Sequence, residues 1–333
     1  MILEPTSAIN WPRFVELVSA RRRFLLTSHI RPDCDALGSE AGLAGVLEAL
    51  GKEVLIVNAH PIPPHLKFID PSGKIQTLGS DIKPEQLEGF DALIVVDTSA
   101  WIQLGEMADV VRTTRATRMV LDHHASEDDL LAEQFKDSTA EATGRLVVEA
   151  ADHLNVPLTR EIAAPLYAAI ATDTGWFRFS STTGLTHRIV GRLLDAGADP
   201  GAIYNALYER HTLARVRLMG RILARAETEL GGRLIHTAAL REDFDRTGAT
   251  RSDTEDLVNT TLAVAGTEVA IFMSEQPQGG FRVSFRSRSK LDCTRVAEQF
   301  GGGGHKAAAG ANVEGTLEVA RTKVLDAVRA AMQ

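Results

Sequence analysis

Apolar and polar positions along the first half of the chain follow two different periods. The unbroken apolar runs Phe24-Leu25-Leu26, Val54-Leu55-Ile56-Val57, Ala92-Leu93-Ile94-Val95-Val96 and Met119-Val120-Leu121 have the length and Val/Ile/Leu content of strands buried on both faces. They predict strands over 23–28, 54–58, 92–96 and 118–121. Helical spacing of apolar residues predicts helices over 36–50, 141–154 and 161–171. Strands alternating with helices in this way predict an α/β domain, a parallel sheet with helices on both faces.

The pattern changes at Asp199-Pro200, where Asp as N-cap and Pro at the first helical position open a helical run. The run extends to Leu230 and is stopped by Gly231-Gly232. Beyond it, strands are predicted over 234–239, 268–274 and 281–286, and helices over 253–264 and 292–300. Four glycines, Gly301 to Gly304, then lead to His305. The expected organisation is a domain over 1–190, a helical connector over 191–230 and a smaller α+β domain over 231–333. The length of 333 residues also exceeds that of one average domain. Leu207, Leu213, Val216 and Leu218 of the connector would serve either a homodimer contact or packing within one chain, and the sequence favours neither.

Composition narrows the partners. No apolar run approaches the ~18 residues of a membrane span, and Met1 to Pro5 lacks the basic and apolar regions of a signal peptide. A cytoplasmic protein without a membrane partner is expected. Cys34 and Cys293 lie far apart, so neither a disulfide nor a cysteine metal pair is expected. The net charge of -8 disfavours long duplex nucleic acid, whose grip rests on many Lys and Arg contacts to phosphates. Two bound divalent ions would leave the protein still acidic, which suits a short or small phosphorylated substrate.

The candidate chemistry gathers at strand ends. His29, Asp33 and Asp35 follow the first strand, Asp97 the strand over 92–96, and Asp122, His123 and His124 the strand over 118–121. Asp173 lies just past a predicted helix. In an open parallel sheet the functional crevice lies beyond the carboxyl ends of the strands. Oxygen ligands with some imidazole suit Mn²⁺, Mg²⁺ or Fe²⁺ rather than a cysteine-type structural zinc. Four carboxylates would formally balance two divalent ions, and without the ions the like charges would repel one another. A two-metal site can activate water and polarise a phosphoryl oxygen, so hydrolysis of a phosphate ester is expected. Taken singly, each residue has an ordinary reading: Asp35 as N-cap of the helix starting at Ala36, His123 as a core histidine. Their joint placement outweighs those readings. His60, His65, His153, His187, His211 and His236 lack such support and are read as surface or packing residues.

These motifs resemble a known family. Asp122-His123-His124 looks like the signature of the DHH phosphoesterases, and His29-Ile30-Arg31-Pro32-Asp33-Cys34-Asp35-Ala36-Leu37-Gly38-Ser39 is similar to that family's first motif. Val96-Asp97-Thr98 resembles the second and Thr172-Asp173-Thr174-Gly175 the fourth. Gly301 to His305 with Ala308-Ala309-Gly310 resembles the signature of the DHH-associated C-terminal domain. The resemblance spans nearly the whole chain, in order, and is nearest to the nanoRNases that also remove the 3′-phosphate of pAp. It implies a parallel-sheet DHH domain followed by a DHH-associated domain. It also implies two divalent metal ions, with Mn²⁺ the first expectation. His29 and Asp33 would hold one ion, Asp35, His123 and Asp173 the other, and Asp97 would bridge them. Asp122 would orient the site, and His124 would contact the scissile phosphate or the leaving group. Two departures stand out: Cys34 where glycine is usual, bringing a thiol near the metals, and Gln103 where this subgroup often has arginine.

A second constellation is basic. Arg282, Arg286, Arg288 and Lys290 alternate along and beyond one predicted strand, and residues two apart share a face. They read as a solvated strand edge or as a phosphate clamp, since guanidinium binds phosphate oxygens in a fork. With the resemblance, Arg286, Arg288, Gly302, Gly303, Gly304 and His305 are expected to bind the nucleotide end of the substrate. The expected activity is a Mn²⁺-dependent hydrolysis of short single-stranded RNA (nanoRNA, pApA) to mononucleotides and of pAp to AMP. The alternatives are a cyclic-dinucleotide phosphodiesterase, a pyrophosphatase with the same metal motifs, and a nucleotide- or metal-binding regulator without catalysis.

Overall fold

The computed structural model describes residues 9–125, 128–255 and 257–332; the N-terminal stretch Met1 to Pro5 and Asp256 of the helix predicted over 253–264 lie outside the described residues. The chain forms two compact units, residues 1–210 and 211–333. In the first unit the order is α1 (Trp11–Ser19), β1 (Arg23–Thr27), α2 (Cys34–Ala49), β2 (Glu53–Asn58), β3 (Ile75–Thr77), β4 (Ala92–Val96), α3 (Met107–Thr113), β5 (Thr117–Asp122), β6 (Glu133–Lys136), α4 (Thr143–His153), α5 (Arg160–Asp173), α6 (Gly184–Asp195) and α7 (Pro200–Tyr208). The second unit holds α8 (Leu213–Ala224), β7 (Glu227–Glu229), β8 (Leu234–Ala239), α9 (Arg241–Thr247), α10 (Leu257–Leu262), β9 (Val269–Glu275), β10 (Phe281–Ser287), α11 (Cys293–Glu298), β11 (Gly303–His305), β12 (Ala308–Val313) and α12 (Leu317–Ala331).

The first sheet runs β3-β2-β1-β4-β5-β6, with every pairing parallel. Successive residues of each strand feed opposite cores. Phe24, Leu26, Ile94 and Val96 pack with α1, α2, α4 and α5, while Leu25, Leu93 and Val95 pack with α3. The strand order reverses between β1 and β4, the switch point at which doubly wound sheets open a crevice. His29 and Asp97 follow those two strands directly.

Helix α2 is buried nearly all round and meets α5 at close range. A Cβ on Gly38 would lie 2.4 Å from the Pro165 carbonyl oxygen, and Gly42 and Gly45 on the same face would meet Leu166 and Ile162. Glycine is needed at position 38 because the facing atom is backbone, which cannot swing aside as a side chain can.

The second sheet runs β11-β12-β10-β9-β8-β7 and is mixed, with β8 and β9 parallel and the other neighbours antiparallel. One face packs on α11 and α12, the other on α8 and α10. The stretch 200–230, read as one helical run, is α7 and α8 with a break at 209–212 and then strand β7. Of the four connector residues, Leu218 is buried and Leu207 packs on the first unit's core, while Leu213 and Val216 are exposed. No helix among the described residues is long and apolar enough to cross a membrane.

Candidate metal centre

Three sheet-edge loops and the ends of three helices supply the site. Asp33 is the N-cap of α2, its Oδ1 accepting the N–H groups of Asp35 and Ala36 at 3.0 and 3.1 Å. The helix therefore starts at Cys34, two residues earlier than expected, and Asp35 is not its cap. Asp35 lies inside the first turn and is buried, gripped by the N–H groups of Thr143 (2.7 Å to Oδ2) and Gly144 (2.9 Å to Oδ1) at the start of α4, and by the Ser39 hydroxyl (3.0 Å). Asp97 follows β4 in a left-handed conformation, φ 62°, with its N–H donating to the Leu121 carbonyl. Asp173 is the last residue of α5 rather than a residue beyond it.

These groups converge. The Nε2 of His29 lies 3.5 Å from Asp97 Oδ2 and 3.8 Å from Asp33 Oδ1. The Nε2 of His123 lies 3.6 Å from Asp97 Oδ1, 3.6 Å from Asp173 Oδ2 and 3.8 Å from Asp35 Oδ2. Ligand atoms of His29, Asp33 and Asp97 fall within 4.8 Å of one another, as do those of Asp35, His123 and Asp173, and those of Asp97, His123 and His124. The two carboxylate oxygens of Asp97 thus face different imidazoles. Each imidazole has its Nδ1 at a backbone carbonyl, His29 at Ile30 (2.9 Å) and His123 at Ala140 (3.1 Å). With Nδ1 donating there, Nε2 is left with a lone pair facing the carboxylates, the form in which an imidazole can coordinate a cation.

Asp122 belongs to none of these groups. It is fully buried, its Oδ1 accepting the His124 backbone N–H (3.0 Å) and facing His124 Nδ1 (2.8 Å). Lys136 Nζ, from β6, stands 3.1 Å from its Oδ2. This geometry orients the half-exposed His124. Burial opposes the charge on Asp122, but the bonds from His124 outweigh it and hold the carboxyl down at about 2.

The other carboxyls move the opposite way. Burial, with the Asp35 charge added, pushes Asp97 well up and Asp173 up to about 7, and burial also raises Asp35. Burial would lower His29, but the Asp33 and Asp97 carboxylates outweigh it and hold the imidazole up at about 11. A pocket of buried carboxylates short of positive charge, with imidazole nitrogens interleaved, is what a divalent cation site presents before it is loaded. The donor set of oxygens and imidazoles fits such ions.

Several contributors escaped the sequence reading. Thr143 donates its hydroxyl to Asp97 Oδ1 at 2.8 Å while its N–H holds Asp35. Behind β1, the Asn58 amide donates to the buried Glu40 at 2.9 Å and its oxygen accepts the Ser28 N–H at 2.9 Å. None of these residues sits in a periodic or clustered signal. Thr143→Val is expected to weaken metal binding about ten-fold, the lower end for losing a residue that orients a ligand. Titration calorimetry with Mn²⁺ checks it, and an unchanged affinity would contradict the role given to the hydroxyl.

The two departures have quiet settings. Cys34 is buried, and burial pushes its thiol up to about 12, so it stays a neutral packing group. Gln103 exposes its side chain and gives its carbonyl to the Ile30 N–H at 2.6 Å. In the second unit, Arg286 is half-buried on β10, and Gly303 and His305 are exposed on the edge strand β11. A Cβ on Gly302 would lie 2.2 Å from the Gly310 carbonyl oxygen, and Gly304 has φ 146°, so both glycines serve the pairing of β11 with β12. Arg288 does not share a strand face with Arg286. It lies past the end of β10, its Nη2 donating to the Val264 carbonyl at 3.0 Å and its Nε to that of Thr267.

Comparison with known proteins gives a consistent set. Residues 23–170 match the DHH family N-terminal domain and residues 231–333 the DHHA1 domain. A protein of Thermus thermophilus named bifunctional oligoribonuclease and PAP phosphatase NrnA is 34% identical over 306 residues, covering 91% of this chain and 88% of its own. The Bacillus subtilis protein of the same name is 29% identical over 303 residues, covering 90% and 92%. The crystal structure of an exopolyphosphatase-related protein from Bacteroides fragilis superposes with a TM-score of 0.86 at 26% identity, over 98% of both chains.

Proposed function

The chain belongs to the DHH family, and on that premise we propose that it hydrolyses short oligoribonucleotides to mononucleotides and removes the 3′-phosphate of pAp. It is an enzyme, a phosphoesterase acting on ester bonds, and its relatives carry the name of both activities over nine-tenths of this chain. The observation that carries the reading at the level of chemistry is the division of Asp97. Its Oδ2 turns to the His29 side and its Oδ1 to the His123 side, which supports two divalent ions sharing one carboxylate.

His29 and Asp33 would hold one ion, and Asp35, His123 and Asp173 the other, with Mn²⁺ proposed ahead of Mg²⁺ or Fe²⁺. Bound there, the ions would supply Lewis acidity toward a phosphoryl oxygen and a water acidic enough to attack at neutral pH. The chain's own residues do the rest. Thr143 and Gly144 fix Asp35, Ala140 fixes the His123 ring, and Asp122 with Lys136 fixes His124. The Nε2 of His124 is thereby available to a leaving oxygen. In the second unit Arg286, Gly303 and His305 are proposed to hold the nucleotide end, with His305 able to stack on a base. Residues 1–190, 191–230 and 231–333 would act as catalytic domain, connector and substrate-binding domain, in the cytoplasm.

The test is turnover of pApA, pAp, a pentanucleotide and cyclic di-AMP with Mn²⁺, beside Asp122→Ala and His123→Ala. Mononucleotide from pApA and the pentamer, with phosphate from pAp, all lost in the variants, is the expected result. Turnover of cyclic di-AMP alone would replace this reading with a cyclic-dinucleotide phosphodiesterase.

A further inference from the structure

Two residues beyond Asp173 the backbone takes three consecutive left-handed steps, Gly175 at φ 57°, Trp176 at φ 60° and Phe177 at φ 64°. Glycine enters that region freely, but bulky residues do so only where surrounding structure over-determines them. Here it does. Trp176 N–H donates to the Ala171 carbonyl at 2.6 Å, Phe177 N–H to the Thr174 hydroxyl at 3.1 Å, and the N–H groups of Arg178 and Phe179 both to the Thr174 carbonyl at 3.0 Å. Trp176 is further clamped by edge contacts to Tyr204 and Tyr208, ring centroids 4.9 and 5.7 Å away. The turn is a hydrogen-bonded extension of α5.

What this turn presents is Phe179. Its side chain is 54% exposed although Trp176 and Phe177 beside it are tucked against the core. The ring lies on Gly175, where a Cβ would come within 2.4 Å of its Cζ. Gly175 is two residues from Asp173, so their Cα atoms are at most about 7 Å apart. A single exposed phenylalanine on a protein surface needs no explanation. This one is held by a strained, fully bonded turn, with its ring a nucleotide's reach from a candidate metal ligand, in a seat that only a glycine at 175 leaves open.

Building on the nucleotide-hydrolase reading, we infer that Phe179 is a stacking platform for a nucleobase of the substrate whose phosphate lies at the Asp173 side of the metal centre. Every base offers a π-face, so the platform selects nucleotides over base-free phosphate esters without selecting sequence. Phe179 is thereby a binding residue, and the strain at Trp176 and Phe177 keeps its position independent of the substrate.

The experiment pairs kinetics with binding. Wild type, Phe179→Ala and Phe179→Trp are assayed on pApA and on its abasic counterpart. The same proteins are titrated, in chelator, with a dinucleotide carrying 2-aminopurine, whose fluorescence is quenched by stacking. The expected result is a fall of about ten-fold in the preference of kcat/KM for pApA over the abasic ester in Phe179→Ala, carried by KM. It is accompanied by loss of quenching and by recovery of both in Phe179→Trp. Preference and quenching unchanged in Phe179→Ala would overturn the platform while leaving the hydrolase reading intact. Phe179-dependent quenching in a wild type that hydrolyses neither ester would support the platform and overturn the hydrolase reading instead.

Discussion

Replacing Asp97 with asparagine is expected to lower turnover on the order of 10³-fold or more, the scale of removing one member of a catalytic unit, while making the metal-free protein more stable. The two effects share one cause. Asparagine keeps the size of the side chain and tolerates φ near 60° better than most residues, so the left-handed backbone at Asp97 is undisturbed. What is lost is the charge. Asp97 is only 2% exposed, and burial together with the Asp35 carboxylate pushes its pKa far up. A carboxyl whose folded-state pKa lies above its unfolded one subtracts stability once the pH exceeds the unfolded value near 4. In chelator at pH 7 the variant should therefore melt higher than wild type, and the gain should shrink as the pH is lowered toward 4. Metal content per chain should fall in parallel. Retained turnover, or a lower melting temperature in chelator, would remove Asp97 from the role proposed for it.

Asp243→Asn is expected to destabilise the second unit by roughly 2–4 kcal/mol, by leaving two guanidinium groups facing a neutral amide in a largely buried position. The Asp243 carboxylate is fully buried. It accepts Arg221 Nε at 2.7 Å, Arg225 Nη1 at 2.8 Å and the Leu240 N–H at 2.9 Å, the last closing the start of α9. Burial opposes the charge, but Arg225 and the Leu240 N–H outweigh it and hold the carboxyl down at about 2. The stabilisation is therefore complete above about pH 4 and is lost as the pH falls toward 2. All three tryptophans, Trp11, Trp101 and Trp176, lie in the first unit, so indole fluorescence would miss the change. Hydrogen exchange of peptides from α8, β8 and α9 reads it directly. Equal protection in variant and wild type at pH 7 would show that the network contributes little.

The central strands β1, β4 and β5 were legible because strands buried on both faces leave unbroken apolar runs. Their carboxyl ends marked the edge where His29, Asp97 and His123 meet. Edge strands β3 and β6 are short and half-exposed, so they leave no run, and Lys136 on β6 went unread with them. The N-cap was misplaced by two residues since Asp33 and Asp35 are equally good caps by type. Only the geometry decides that one closes the helix and the other enters it. Thr143 was beyond reach for a different reason. Its partners Asp35 and Asp97 lie 108 and 46 residues away in the chain, and a lone threonine at a helix start reads as nothing more. Arg286 and Arg288 seemed a pair by strand alternation, but β10 ends at Ser287 and the alternation ends with it.

The glycine face between α2 and α5 bears on how such a centre can change. α2 carries Asp33 and Asp35 at its beginning, and α5 carries Asp173 at its end, so the separation of their oxygens is set by how closely two helix backbones touch. One methyl group at position 38, a helical turn beyond Asp35, would act as a spacer on that separation. A substitution on the α2–α5 contact would thus reshape the candidate centre while every one of its candidate ligands stayed unchanged. The motif, read alone, would record no event.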